Sequence, residues 1–113
     1  MRHFFHTLLL LIYCHLLAAQ CPSGGIEINS QAALDDFVAM YPNCTEISGD
    51  LNITSIVTSL IGLDNITSVT GSLNISSSVT NLEGLNNLTS IGGGLNISYC
   101  YELTSLNLSL IHI

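Results

Sequence analysis

A heptapeptide block returns twice along this chain. Ile47-Ser-Gly-Asp-Leu-Asn-Ile53 recurs as Val69-Thr-Gly-Ser-Leu-Asn-Ile75 and again as Ile91-Gly-Gly-Gly-Leu-Asn-Ile97, so the period is 22 residues. Between the blocks, Val57-Thr-Ser-Leu-Ile-Gly-Leu63 matches Val79-Thr-Asn-Leu-Glu-Gly-Leu85, and Asn65-Ile-Thr-Ser68 matches Asn87-Leu-Thr-Ser90. Self-similarity at such a period is the signature of a stacked-repeat chain, in which each repeat is one structural unit that buries its apolar side only against its neighbours. The expected fold class is therefore mainly parallel β: a single-stranded right-handed β-helix, or leucine-rich solenoid, with one coil per repeat.

The pattern within a repeat assigns its faces. Leu51 and Ile53 flank Asn52, and side chains alternate along a strand, so the aliphatics turn inward and the Asn outward. Stacking then places Leu51, Leu73 and Leu95 in one ladder and Ile53, Ile75 and Ile97 in another, ~4.8 Å apart per step. Gly49, Gly71 and Gly93 stand before the strands, where a bend needs a residue without Cβ. Leu73→Ala is expected to cost ~2–5 kcal/mol, Leu95→Ala less, and an outward Asn74→Ala no more than ~0.5 kcal/mol.

An open stack needs covers. Ser30 is placed to cap a helix whose apolar residues Ala33, Leu34, Phe37, Val38 and Tyr41 fall at helical spacing, and Pro42 ends it. Ile26-Glu27-Ile28 reads as a short strand before that helix. Cys21 and Cys44 bracket strand and helix, and a bridge between them contributes ~3 kcal/mol on a loop-entropy account. The N-terminal segment has Arg2, His3 and His6, then an apolar run from Leu8 to Leu17, then Ala18-Ala19 before Gln20. This is the layout of a cleaved secretion signal, and the run is shorter than the ~20 residues a membrane helix needs. A lipidated Cys21 is the alternative, against which Gln20 occupies the position where a small residue is required. The expected organisation is a signal peptide at 1–19, a cap with its Cys21–Cys44 disulfide at 20–46, and three coils at 47–113, the last incomplete. Removal of the signal takes Cys14 with it, and Cys100 is then either unpaired or paired outside the chain.

The run Cys21…Leu34-Asp-Asp-Phe37…Tyr41-Pro-Asn-Cys44-Thr-Glu-Ile-Ser-Gly49-Asp-Leu51-Asn-Ile53 resembles the start of the L domains of the epidermal growth factor and insulin receptors. The Leu-x-Gly-Leu-x-Asn-Leu-Thr-Ser pattern between Leu60 and Ile91 is also similar to the repeats of bacterial extracellular leucine-rich proteins. The resemblance spans about Cys21 to Leu106. It implies a disulfide-bonded capping helix leading into a right-handed β-helix, and a non-catalytic ectodomain that presents its surface to an extracellular protein or glycan. The third repeat departs from the pattern. Leu103-Thr-Ser-Leu106 aligns with Val79-Thr-Asn-Leu82 at an offset of 24, so two residues are added around Tyr99-Cys100-Tyr101, and the Gly-Leu element is missing after Leu106. Further repeats or domains beyond Ile113 are the expectation.

Charge narrows the function. The chain carries one Lys or Arg against eight Asp and Glu, for a formal net charge of −7, and the single cation is Arg2. Phosphate neutralisation needs Lys and Arg, so nucleic acid is excluded as a partner, and so is an anionic membrane surface. Polysaccharide-cleaving β-helices need a carboxylate with a cation to hold developing charge. Here Asp50 is followed in its column by Ser72 and Gly94, Glu83 shares a column with Ile61, and Asp35 and Asp36 diverge on the helix. His112 alone among the histidines lies beyond the signal, Gly92-Gly93-Gly94 lacks the Lys of a phosphate loop, and no EF-hand spacing is present. The expectation is a protein that is not an enzyme, with no catalytic residue, cofactor or metal. It is secreted or on the cell surface, with the outward Asn52, Asn74 and Asn96 as the candidate binding face. A structural cell-wall protein, or the non-catalytic appendage of a larger secreted enzyme, is the alternative. Seven Asn-x-Ser/Thr sequons, at Asn43, Asn52, Asn65, Asn74, Asn87, Asn96 and Asn107, are candidate glycosylation sites, or a by-product of copying an Asn- and Thr-rich repeat.

Overall fold

In a computed structural model, residues 21–104 are described. The expectations for residues 1–19, Leu106, Asn107 and His112 lie outside that range. Strand β1 (Ile26–Ser30) leads directly into helix α1 (Gln31–Met40). Six strands follow: β2 (Glu46–Ile47), β3 (Leu51–Ile56), β4 (Ser68–Val69), β5 (Leu73–Ser77), β6 (Ser90–Ile91) and β7 (Leu95–Ile97). They form two sheets, ordered β1-β3-β5-β7 and β2-β4-β6, and every pairing is parallel.

The repeat is visible in the register. Leu51 pairs with Leu73 and Leu73 with Leu95, as do Asn52 with Asn74 and Asn74 with Asn96, and Ile53 with Ile75 and Ile75 with Ile97. In the second sheet Ile47 pairs with Val69 and Val69 with Ile91. Like therefore stacks on like, and each aliphatic has a twin above or below. The sequence reading placed one strand per repeat at Leu-Asn-Ile; the structure adds the short strand around Ile47, Val69 and Ile91. Two residues carry too little alternation to mark a strand by pattern.

Both strand sets send their aliphatics into one core. Leu51, Ile53, Leu73 and Ile75 are buried, and so are Ile47, Val69 and Ile91. The remaining segment of each repeat bends by successive turns. Leu63 N–H donates to the Leu60 carbonyl and Ile66 N–H to the Leu63 carbonyl, and Leu85 and Leu88 repeat this on Leu82 and Leu85. Turns closing over three residues bring every third side chain to the same side, so Leu60, Leu63 and Ile66, then Leu82, Leu85 and Leu88, are all buried. Gly84 adopts φ 104°, and a Cβ there would run into the Leu60 carbonyl oxygen of the repeat before it. Only glycine fits both the left-handed backbone and the approach. The Gly49, Gly71 and Gly93 column lies at bends, as expected, and also meets a second demand. A Cβ on Gly71 would overlap the Asp50 carboxylate and the Gly49 backbone, so close approach between repeats excludes a side chain.

The helix closes the first end of the stack. Ser30 holds an extended backbone, and its Oγ accepts from Ala33 N–H at 3.0 Å. Leu34 and Phe37 are buried, and Tyr41 packs on Phe37 with ring centroids 5.6 Å apart. Cys21 and Cys44 are joined by a disulfide, and Cys100 is free. At the other end Leu95 and Ile97 are half-buried, whereas Leu73 and Ile75 are buried.

Candidate functional site

With the aliphatics inside, each sheet turns a polar column outward, Glu27-Asn52-Asn74-Asn96 in the first and Glu46-Ser68-Ser90 in the second. Asn74 Nδ2 donates to Asn52 Oδ1 at 2.7 Å and Asn96 Nδ2 donates to Asn74 Oδ1 at 2.7 Å. The three residues expected as an exposed face thus form an amide ladder along the stack. Asn52 and Asn74 are half-buried in it and Asn96 is exposed. Two residues on, Thr54 and Ser76 pair in register on the same outward side, and Ser98 continues that column at the 22-residue period.

A second pair of columns lies at the bend before the short strands. Asn65 Nδ2 donates to the Pro42 carbonyl at 2.8 Å and Asn87 Nδ2 to the Asp64 carbonyl at 2.7 Å. Thr67 Oγ1 donates to the Thr45 carbonyl and Thr89 Oγ1 to the Thr67 carbonyl, at 3.1 and 3.2 Å. Asn74, Asn87, Asn96 and Thr89 therefore each bond one repeat to the one before, and Asn65 and Thr67 bond the first repeat to the cap at Pro42 and Thr45. Asn43 is exposed at the start of its column.

The carboxylates are dispersed. Asp50 Oδ1 accepts from Ser72 N–H at 2.8 Å, and the next member of the column does the same work, Ser72 Oγ accepting from Gly94 N–H at 3.1 Å. Glu46 accepts from the Ser68 hydroxyl at 3.1 Å. Asp35, Asp36 and Glu83 are exposed. Among the described residues no group of three or more His, Cys, Asp or Glu is placed to hold a metal ion, and no helix is long and apolar enough to cross a membrane. A cleft of about 120 Å³ lies between α1 and the first repeat, lined by Phe37, Val38, Tyr41, Gly62, Asn65 and Ile66.

Residues 43–112, more than half of the chain, match the family described as Receptor L domain. The chain belongs to the receptor L domain family. No curated protein and no solved structure matches it. The match covers all three copies of the Leu-Asn-Ile block. The cap strand, α1 and Cys21 precede it.

Three features of this L domain escaped the sequence reading. Gln31, the first helical residue, clamps the cap to the first repeat: its Oε1 accepts from Thr58 and Ser59 N–H at 3.1 and 3.2 Å, and its Nε2 donates to the Ser59 carbonyl at 3.1 Å. Ser77 is the one buried polar residue among those described. Val57 N–H donates to its hydroxyl oxygen at 3.0 Å, and the hydroxyl lies 2.9 and 2.8 Å from the carbonyls of Ser55 and Val57. Tyr99 and Tyr101, where the period breaks, stand out from the surface at 73% and 84% exposure, edge to face with ring centroids 6.4 Å apart.

Proposed function

We propose that this L domain is an extracellular, non-catalytic binding module, wound as a right-handed β-helix under an N-terminal cap, that presents its outward columns to a protein or glycan. The observation that carries this reading is the family match over residues 43–112. The register supports it, since identical residues pair from repeat to repeat and the ladders fix the backbone that carries the outward columns. The outward columns supply amides and hydroxyls, which suit recognition by hydrogen bonding. Residues 1–19 serve as a cleaved secretion signal, residues 20–46 as the cap and residues 47–113 as the coils. The sequon at Asn43, exposed at the start of its column, is the position at which a glycan meets least crowding, since Asn65 and Asn87 spend their Nδ2 on the preceding carbonyls.

The test is expression of the whole chain, with its own N-terminal segment, in a secreting host. Protein in the medium whose first residue is Gln20 is the expected result. That protein is then screened on arrays of extracellular proteins and of glycans, where saturable binding is expected. Retention inside the cell with residues 1–19 intact, or turnover of a glycan in place of binding, overturns the proposal.

A further inference from the structure

We propose that the strip where the first repeat runs along α1, from Ile56 to the cleft beyond Gly62, docks a short segment of a partner protein that carries Lys or Arg beside an apolar side chain. The inference deepens the binding-module reading above and rests on it.

Three contacts place the strip. Ile56 pairs in register with Ser30, the cap of the helix. Gln31 binds Thr58 and Ser59, and a Cβ on Gly62 would lie 2.9 Å from Val38 Cγ2 and 3.8 Å from Leu34 Cδ2. Residues 56–62 therefore follow one flank of α1 from its cap to Val38. The cleft of about 120 Å³ continues the same line, since Val38 and Gly62 line it together with Tyr41 and Ile66. The ten residues of α1 rise ~15 Å, a distance that about five residues of extended chain cover.

The strip is apolar where the repeat does not require it. Ile56 and Ile61 are exposed at 74% and 63%. One period on, the same positions hold Ser78 and Glu83, and the second repeat keeps its core with them, Leu82 and Leu85 being buried. Stacking thus makes no demand for the two isoleucines, which stand only beside the cap. The cleft is comparable with the ~150 Å³ aliphatic cavities that accept benzene, so it has room for one apolar side chain.

Charge selects what carries that side chain. Asp35 is exposed four residues after Gln31 and three before Val38, so it borders the strip on the helix side. Glu83 borders it on the other side, because its neighbour Gly84 stands against the first repeat, where a Cβ would lie 2.9 Å from Ile61 N. Asp64, exposed between Gly62 and Asn65, edges the cleft. The described residues include no Lys or Arg, so no cation within them answers these three carboxylates. An apolar strip edged by carboxylates alone complements a chain that offers an apolar side chain between cations. A second copy of this chain does not fit, since it brings eight acidic residues and, past Arg2, no Lys or Arg, and like charges repel across an interface.

The experiment pans the secreted chain against a phage library of short random peptides. Enriched peptides are expected to carry Lys or Arg around an aliphatic or aromatic residue. A synthetic copy of one, titrated by calorimetry, should bind more weakly as salt rises. Ile61→Ser should weaken it roughly tenfold. Asp35→Asn combined with Glu83→Gln should weaken it roughly three- to tenfold and flatten the salt dependence. Tyr101→Ala, at the third repeat, should bind as the parent does. The replaced side chains are all exposed, so circular dichroism and urea midpoints should match the parent and separate loss of docking from loss of fold. Enriched peptides without Lys or Arg, or equal binding by the parent and by the Ile61 and acidic-residue variants, overturn the site. A dimer in sedimentation that Ile61→Ser dissociates overturns it by giving the strip to a second copy. No enrichment at all overturns it as well, while saturable binding on the protein and glycan arrays keeps the binding-module reading in place.

Discussion

At the scale of single residues, hydrogen bonding revises what pattern alone assigns to the outward Asn column. Alternation of apolar and polar residues identified Leu73 as inward and Asn74 as outward, and both directions hold. Periodicity does not say whether an outward amide meets water or its twin one repeat away. Asn74 both donates and accepts within the ladder, so its truncation strands Asn52 Oδ1 and Asn96 Nδ2 at a partly covered surface. Asn74→Ala should therefore cost about 1–2 kcal/mol, above the ~0.5 kcal/mol ordinary for an exposed position. Asn96→Ala removes one bond at an exposed site and should cost clearly less. Urea unfolding of the two variants gives the order directly, and equal values would mean the ladder adds nothing to stability. Ser77 was illegible for the same reason. Nothing distinguishes it in sequence from Ser55, yet it alone is buried, and Val57 N–H depends on it.

Elements show which parts of the fold the sequence makes plain. The cap helix was readable end to end, because Ser30, the apolar spacing from Leu34 to Tyr41 and Pro42 act through local geometry. How the helix is fastened was not, since Gln31 works across 27 and 28 residues through Thr58 and Ser59. Replacing Gln31 with Ala leaves the helix its Ser30 cap but frees those amides, so their hydrogen exchange should accelerate ahead of the β3 and β5 amides. Unchanged protection at residues 58 and 59 would show that the cap is held without Gln31, by the packing of Leu34 and Phe37, the Cys21–Cys44 bridge and the bonds of Asn65 and Thr67. The ladders make a second comparison. Leu73 is fully buried between Leu51 and Leu95, so Leu73→Ala should cost ~2–5 kcal/mol. Leu95 is half-buried, with a partner on one side among the described residues, and Leu95→Ala should cost less in the same denaturant series. A reversed order would place the tight packing at the third repeat.

For the molecule as a whole, stability is a chain of neighbour interfaces, because each repeat pairs only with the repeats beside it. Such a stack is most easily opened from its ends, and its two described ends are unequal. At the first, α1 covers the core and the Cys21–Cys44 bridge ties the strand and helix of the cap to the start of the first repeat, across a sequence separation of 23. At the other, Leu95, Ile97 and Leu103 are half-buried. Opening should begin in the third repeat and spread toward the cap, so exchange protection should rise from β7 through β5 to β3. The bridge is what sets that direction. Replacing both Cys21 and Cys44 with Ser should lower stability by ~3 kcal/mol, and it should do so locally, since the loop it closes holds β1 and α1. Protection of β1 and β3 should then fall toward that of β7, while Gln31 remains the main polar tie between helix and repeats. Native-state hydrogen exchange on the parent and the double variant measures both gradients. If protection in the double variant still rose steadily from β7 to β1, the aliphatic ladders and Gln31 would suffice to close the first end, and the disulfide would be a passenger in a cap already held by its packing.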